Sequence, residues 1–267
     1  MTLSPYWRAG LTLLLTLATA VACRAADDAA STAPEQGKID LNQPYHCMFT
    51  ETPVVIDGVL DDPVWQKAPL VSMATYGKRE RPLSLTEARM AYDRDYLYVA
   101  FKAYDEDIWS YLTERDSSTA SEDVLEVFFK THPERPAYFN FEINALGTVY
   151  DAYHVRRAGT PERPQSFFYK RWMRWDCEGL RMAINIHGTL NDPTDRDEYW
   201  IMEVAIPFAE LPTLAGRPPE RGDEWLLALC RYDYSIYLPE GREQSASAPF
   251  TRRGFHYYEE WGRLIFD

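Results

Sequence analysis

Four polar side chains at alternating positions form the first pattern in the sequence that could do chemistry. Glu126 on one strand-like segment, and Asn140, Glu142 and Asn144 together on another, stand on the faces opposite the apolar side chains. Such a surface either offers hydrogen-bonding groups to the hydroxyls of a ligand or is an ordinary solvated sheet face. Arg231, in Leu229-Cys230-Arg231-Tyr232, lies late in an apolar run. A guanidinium there either bridges to Glu126 or Glu142 or holds a ligand oxygen. Trp172 and Trp175 sit among basic residues in Lys170-Arg171-Trp172-Met173-Arg174-Trp175-Asp176. Trp172 is expected as an exposed stacking platform, whereas Trp175, Trp65, Trp200 and Trp261 are expected in the packing.

Asn191, Asp192, Asp195 and Asp197 crowd oxygens between two strand patterns. Calcium takes about six to eight oxygens, so these four would need backbone or remote help, and hairpin-turn chemistry explains Asn-Asp-Pro without a metal. No G-x-S-x-G, H-E-x-x-H or glycine-rich phosphate loop is present. Carboxylates are abundant, but nothing singles out a glycosidase pair, which is defined by its separation. The four cysteines, Cys23, Cys47, Cys177 and Cys230, contain no C-x-x-C spacing. That excludes a zinc ribbon, a thioredoxin-type site and c-type haem attachment. If Cys23 is modified, the other three allow at most one disulfide and one free thiol. The formal net charge of -13 makes nucleic acid and anionic membrane surfaces poor partners.

The elements that must position these groups are strands. Period-two alternation marks residues 96–104, 123–129, 138–144, 180–186, 199–206, 225–234 and 261–266. In the first, Leu97, Val99, Phe101 and Ala103 share a face, and in the third Phe139, Phe141 and Ile143 do. Helical signals are short: Asp61-Asp62-Pro63 ahead of Trp65, and a turn from Pro207 through Leu211. These patterns predict an all-β antiparallel β-sandwich, with immunoglobulin-like or jelly-roll-like layers and short helical turns.

Four segments in order resemble the family 9 carbohydrate-binding module and its DOMON-like relatives. They are Ile56-Asp57-Gly58-Val59-Leu60-Asp61-Asp62-Pro63-Val64-Trp65; Tyr92-Asp93-Arg94-Asp95-Tyr96-Leu97-Tyr98-Val99-Ala100; Glu122 to Phe128 with Phe141 to Gly147; and Trp175-Asp176 with Gly188 to Asp197 and Trp200 to Pro207. Glu259-Glu260-Trp261-Gly262 also fits. The resemblance implies a β-sandwich and carbohydrate binding, with two aromatic rings pinching a sugar and polar groups holding its hydroxyls. Glu126 and Asn144 match family binding positions, and Glu142 stands where an Arg is expected. The pinching rings would be Trp109 or Trp172 on one side and Phe255, with His256 beside it, on the other. The family's occasional calcium would fall on Asn191, Asp192, Asp195 and Asp197. Haem b, held in some DOMON-like relatives by Met and His, would draw on Met90, Met182, His154 and His187.

Residues 1–22 read as an export signal: Arg8, an apolar run, then Ala20-Val21-Ala22. Ala22 directly before Cys23 resembles a lipobox, so lipidation at Cys23 and plain secretory cleavage are the two readings. Residues 23–40 form a flexible spacer and 41–267 one domain. The function expected is an exported, non-catalytic carbohydrate-binding protein of the bacterial outer membrane or periplasm, or one secreted. The alternatives are a glycosidase component of carbohydrate catabolism and a haem b domain.

Overall fold

In the computed structural model, residues 38–158, 168–171 and 175–267 are described. Among the described residues thirteen strands run as β1 (Tyr45–Phe49), β2 (Ala74–Thr75), β3 (Thr86–Tyr92), β4 (Tyr96–Tyr104), β5 (Val124–Lys130), β6 (Tyr138–Asn144), β7 (Val149–Ala158), β8 (Phe168–Arg171), β9 (Arg181–His187), β10 (Tyr199–Pro207), β11 (Glu224–Tyr234), β12 (Arg242–Ala246) and β13 (Gly262–Phe266). Every segment read as a strand from its alternation is one, within two residues at either end. Among the described residues helix is confined to single 3₁₀ turns, Thr119–Ser121 and Phe208–Glu210 among them. The Pro207 turn is therefore present, but Asp61-Asp62-Pro63 opens only a series of tight turns.

The strands form two layers joined through one strand. The first layer has the order β8-β7-β6-β5-β11-β13-β1, and the second continues β1-β3-β4-β10-β9. β1 spends Tyr45 to Cys47 beside Leu264 to Phe266, then Met48 and Phe49 beside Ala91 and Tyr92. Both of its pairings are parallel, whereas all other strand pairs are antiparallel. The Tyr45 hydroxyl fixes the crossing by accepting from the Met90 amide (2.9 Å). β11 likewise divides one edge between β13 and β12, which in turn pairs with β2.

Between the layers lies the main core. Leu125, Val127 and Phe129 on β5, Phe139, Phe141 and Ile143 on β6, and Leu227 and Leu229 on β11 meet Leu97, Val99 and Phe101 on β4 and Trp200, Met202 and Val204 on β10. Phe129 stacks on Phe139, Phe141 and Trp225, which fixes the first layer's register through large, directional rings. Each outer face is partly covered by a loop. Residues 53–68 cover the second layer, packing Val54, Val64, Trp65 and Ala68 on Ala91, Tyr98, Ala100 and Ala205. The carboxylate of Glu203 on β10 pins this cover by accepting from Trp65 Nε1 (2.8 Å) and from the Asp57 and Gly58 amides. Gly58 takes φ +79 at this close approach, where a side chain would meet Asn185. Residues 246–261 cover part of the first layer, placing Ala248, Phe250, Phe255, Tyr257 and Trp261 on Phe128, Tyr138, Ala228 and Cys230.

Candidate functional site

What remains of the first layer's outer face is polar. Alternation turns Tyr138, Asn140, Glu142 and Asn144 outward because Phe139, Phe141 and Ile143 fill the core. The same logic turns out Val124, Glu126 and Phe128 on β5, and Cys230 and Tyr232 on β11. Register then sets Glu126 directly opposite Glu142 on one side and Cys230 on the other, and Glu142 opposite Tyr150 of β7. Two carboxylates therefore stand side by side on adjacent strands, an arrangement that repels when both are charged.

Their surroundings differ. Glu126 is buried at 2% exposure and has no hydrogen-bond or ion-pair partner among the described residues. Glu142 is half-buried, and its Oε2 accepts from Thr119 Oγ1 (3.1 Å). With its amide oriented to satisfy its neighbours, Asn140 donates to Glu142 Oε1 (3.1 Å). Burial pushes both carboxyls up, and the like charge of Glu142 pushes Glu126 further. For Glu142 the result is about 7. The pair also raises the Cys230 thiol and the Tyr232 hydroxyl, after the larger effect of burial on each, so all four groups share one low-dielectric patch. Tyr232 and Tyr234 stack with rings 6.4 Å apart, and Tyr234 ties to the Thr119–Ser121 turn through the Ala120 carbonyl (2.9 Å). Thr119, Tyr150 and Tyr232 were not singled out by sequence reasoning. Only cross-strand register reveals them.

Other expected ligand groups have different positions. Asn144 lies on the same strand face as Glu142, but its amide is spent on structure. Nδ2 donates to Leu112 O and Glu122 Oε2, and Oδ1 accepts from the Leu146 and Thr148 amides. Arg231 meets neither Glu126 nor Glu142. Being one residue past Cys230, it points to the opposite side of the sheet, into the end of the core, where it is 1% exposed. Its Nη2 lies 2.8 Å from Asp105 and 3.5 Å from Asp233, and Nη1 donates to Tyr104 O (2.8 Å). Phe255 is no open platform either, since it is buried against Tyr76, Phe128, Tyr232 and Phe250. His256 Nδ1 shares a hydrogen bond with the Tyr138 hydroxyl (3.0 Å), at the aromatic end of the polar patch. Trp109 is half-buried, its indole donating to Asp107 (3.0 Å), and its ring leans on the exposed Tyr111. Trp172 and Cys23 lie outside the described residues. Trp175 packs on Phe139 and Phe141 as expected.

The structure gives the four loop oxygens separate tasks. Asn191 exchanges both amide bonds with Ser110, Asp192 caps Thr194, and Asp197 accepts from the Ile108 and Thr189 amides. Asp195 is exposed. They do not form a calcium ligand set. Asp105, Asp123 and Asp233 do converge, with carboxylate oxygens within 4.8 Å of one another. The Arg231 guanidinium already lies against two of them, so their charge has a counterion and a divalent ion would meet a fixed positive group. The haem candidates do not assemble: Met90 is in the main core, Met182 is exposed at 36% on β9, and His154 and His187 stack on Tyr138 and Tyr199. Cys47, Cys177 and Cys230 are all free and buried, so no disulfide is made among them. An open cleft of about 480 Å³ beside β2 and β12 mixes Lys78, Arg81 and Arg242 with Glu80, Glu240 and Glu243.

The model of the family described as carbohydrate family 9 binding domain-like matches residues 56–233. The chain belongs to this family. The match spans β2 to β10 and nearly all of β11, and so includes the Glu126–Glu142 pair. Three solved structures share the family 9 fold seen here. A candidate carbohydrate-binding protein from Bacteroides uniformis aligns with TM-score 0.62 at 13% identity, over 84% of this chain and 99% of the other. A family 9 module from Caldicellulosiruptor kristjanssonii in complex with glucose aligns with TM-score 0.55 at 13% identity, over 84% and 96%. The module in complex with cellotriose aligns with TM-score 0.54 at 15% identity, over 84% and 94%. Among curated proteins, none matches the sequence.

Proposed function

We propose that the protein binds carbohydrate on the outer face of its first layer, without catalysing a reaction, after export from the cell. The observation that carries the reading is Glu126: a buried carboxylate with no partner among the described residues, beside the half-buried Glu142, at a position to which the sequence resemblance assigns ligand binding. Asn140 and Thr119 hold Glu142 in place. Tyr232 stands near enough to the pair for both carboxylates to act on its hydroxyl, and its ring suits the apolar side of a sugar. Family membership and the glucose and cellotriose complexes of the relatives from Caldicellulosiruptor support a saccharide as the ligand.

A glycosidase needs one carboxyl held as an acid and the other held ionised. Here burial pushes both up, and no cation or amide steadies Glu126 as an anion. That supports binding over hydrolysis, and a polysaccharide panel should release no reducing ends.

A glycan array probed with the purified protein tests the reading. Binding to a defined saccharide, weakened at least about tenfold in Glu126→Ala with the thermal transition retained, is the expected result. No saccharide binding, or binding indifferent to Glu126→Ala, overturns it. Export and tethering rest on Arg8, the apolar run and Ala22-Cys23. Intact-mass measurement of the mature chain should show a lipid on Cys23 that Cys23→Ala abolishes. A mature chain without lipid, whether it starts at Cys23 or elsewhere, would mean plain secretion.

A further inference from the structure

We infer that the ligand carries a protonated amine, as in an amino sugar, and that its ammonium seats between Glu126 and Glu142. This deepens the carbohydrate reading and rests on it. Two carboxylates sit directly across from one another on adjacent strands of one sheet face. Neither forms an ion pair, and no lysine or arginine among the described residues reaches them. Arg231 is committed on the other side of the sheet to Asp105, Arg115 pairs with Asp151, and Lys130 lies over the Tyr258 ring. The remaining groups that face the pair are the buried Cys230, Tyr232, Tyr150, Thr119 and Asn140. None is cationic. Thr119 and Asn140 each donate to Glu142, but nothing donates to Glu126.

A buried like-charge pair of this kind is stabilised by a proton or by a cation brought from outside. A divalent metal is a poor occupant, since two carboxylates fall far short of the oxygens calcium takes. An ammonium fits the chemistry better. It has three donors, two for the carboxylates and one for a neighbouring oxygen, and it brings the missing charge. The Tyr232 ring beside it suits the apolar face of the same sugar and adds an attraction for the cation.

The test is isothermal titration of the protein, near neutral pH and at physiological salt, with three β-1,4 disaccharides. These are the glucosamine disaccharide, its N-acetylated counterpart and cellobiose. Small ligands and salt suppress the general attraction of an acidic protein for polycations. The free amine should bind at least about tenfold tighter than either neutral sugar. Glu142→Gln, at a partly accessible position that tolerates the change, should lose most of that preference, as should Glu126→Gln if it retains its thermal transition. Equal or tighter binding of a neutral sugar overturns this inference and leaves carbohydrate binding standing. An amine preference unchanged in Glu142→Gln also overturns it, by placing the amine elsewhere. Failure of all three sugars to bind, together with an empty glycan array, overturns the carbohydrate reading as well.

Discussion

Glu142 is one of several carboxyls raised by burial, with Glu126, Asp105 and Asp123, that tie the stability of the fold to pH. Its carboxyl titrates near 7 in the folded protein, against an ordinary value near 4.5, because burial disfavours the charged form. Below the ordinary value both folded and unfolded chains hold the proton, and there is no penalty. As pH rises from there to about 7, the folded chain keeps a proton that the unfolded chain has lost, so stability falls, and above that it levels off. Glu142→Gln should therefore flatten the stability profile, adding up to about 3 kcal/mol at pH 8 and little at pH 4, read by denaturant melts. A profile that keeps its slope would separate Glu142 from the effect. Arg231→Ala should cost about 3–5 kcal/mol by stranding Asp105 and Asp233, while leaving the saccharide affinity of the folded protein close to its original value. Sequence alternation placed Glu126, Asn140 and Glu142 on one face correctly, because a strand offers only two sides. The partner of Arg231 was not legible for a related reason: parity within one strand shows which side a residue takes, but not which loop delivers the Asp105 carboxylate there. Nor could spacing tell an open aromatic from a covered one, and Phe255 is closed over by Tyr76 and Phe250, which arrive from distant segments.

Among the elements, the two covers contrast in what fastens them. Residues 53–68 hang on one carboxylate, since Glu203 takes two amides and an indole N–H. Glu203→Ala leaves those three donors unsatisfied, and should destabilise by about 2–4 kcal/mol. Hydrogen exchange should then speed up first at Asp57 and Gly58, ahead of the β10 amides. Uniform loss of protection across the sheet would mean that the cover is not a separate unit. Residues 246–261 are fastened by rings instead. Phe255→Ala should cost about 3–5 kcal/mol by cavity formation, and its effect on ligand binding should follow only from loosening the aromatic border of the patch. The long alternating strands were legible because each carries a full apolar face. β1, β2, β3, β7, β8 and β12 were not: four of these have five residues or fewer and carry little alternation, and in β7 the buried Asp151 interrupts the side that Val149 and Tyr153 turn to the core.

At the scale of the whole molecule, the fold stands without covalent bracing. Cys47, Cys177 and Cys230 are buried and unbridged, and burial raises all three thiols. A thiol reagent should count none of them in the native protein and all three in denaturant, and reductant should leave the melting temperature unchanged. Reaction of a native thiol would contradict the packing. Family and fold could be read from the sequence because the motif order spans most of the domain. The joining of the two layers could not, since it depends on β1, the short strand that lies between β13 and β3. That arrangement has a consequence in time. Tyr45 takes its partner, Leu264, from more than two hundred residues further along the chain, and Asp267 donates to Cys47. A pairing of such sequence separation carries a large loop-closure cost, so the seam through β1 should form only after β13 has been made, later than the hairpin pairings within each layer.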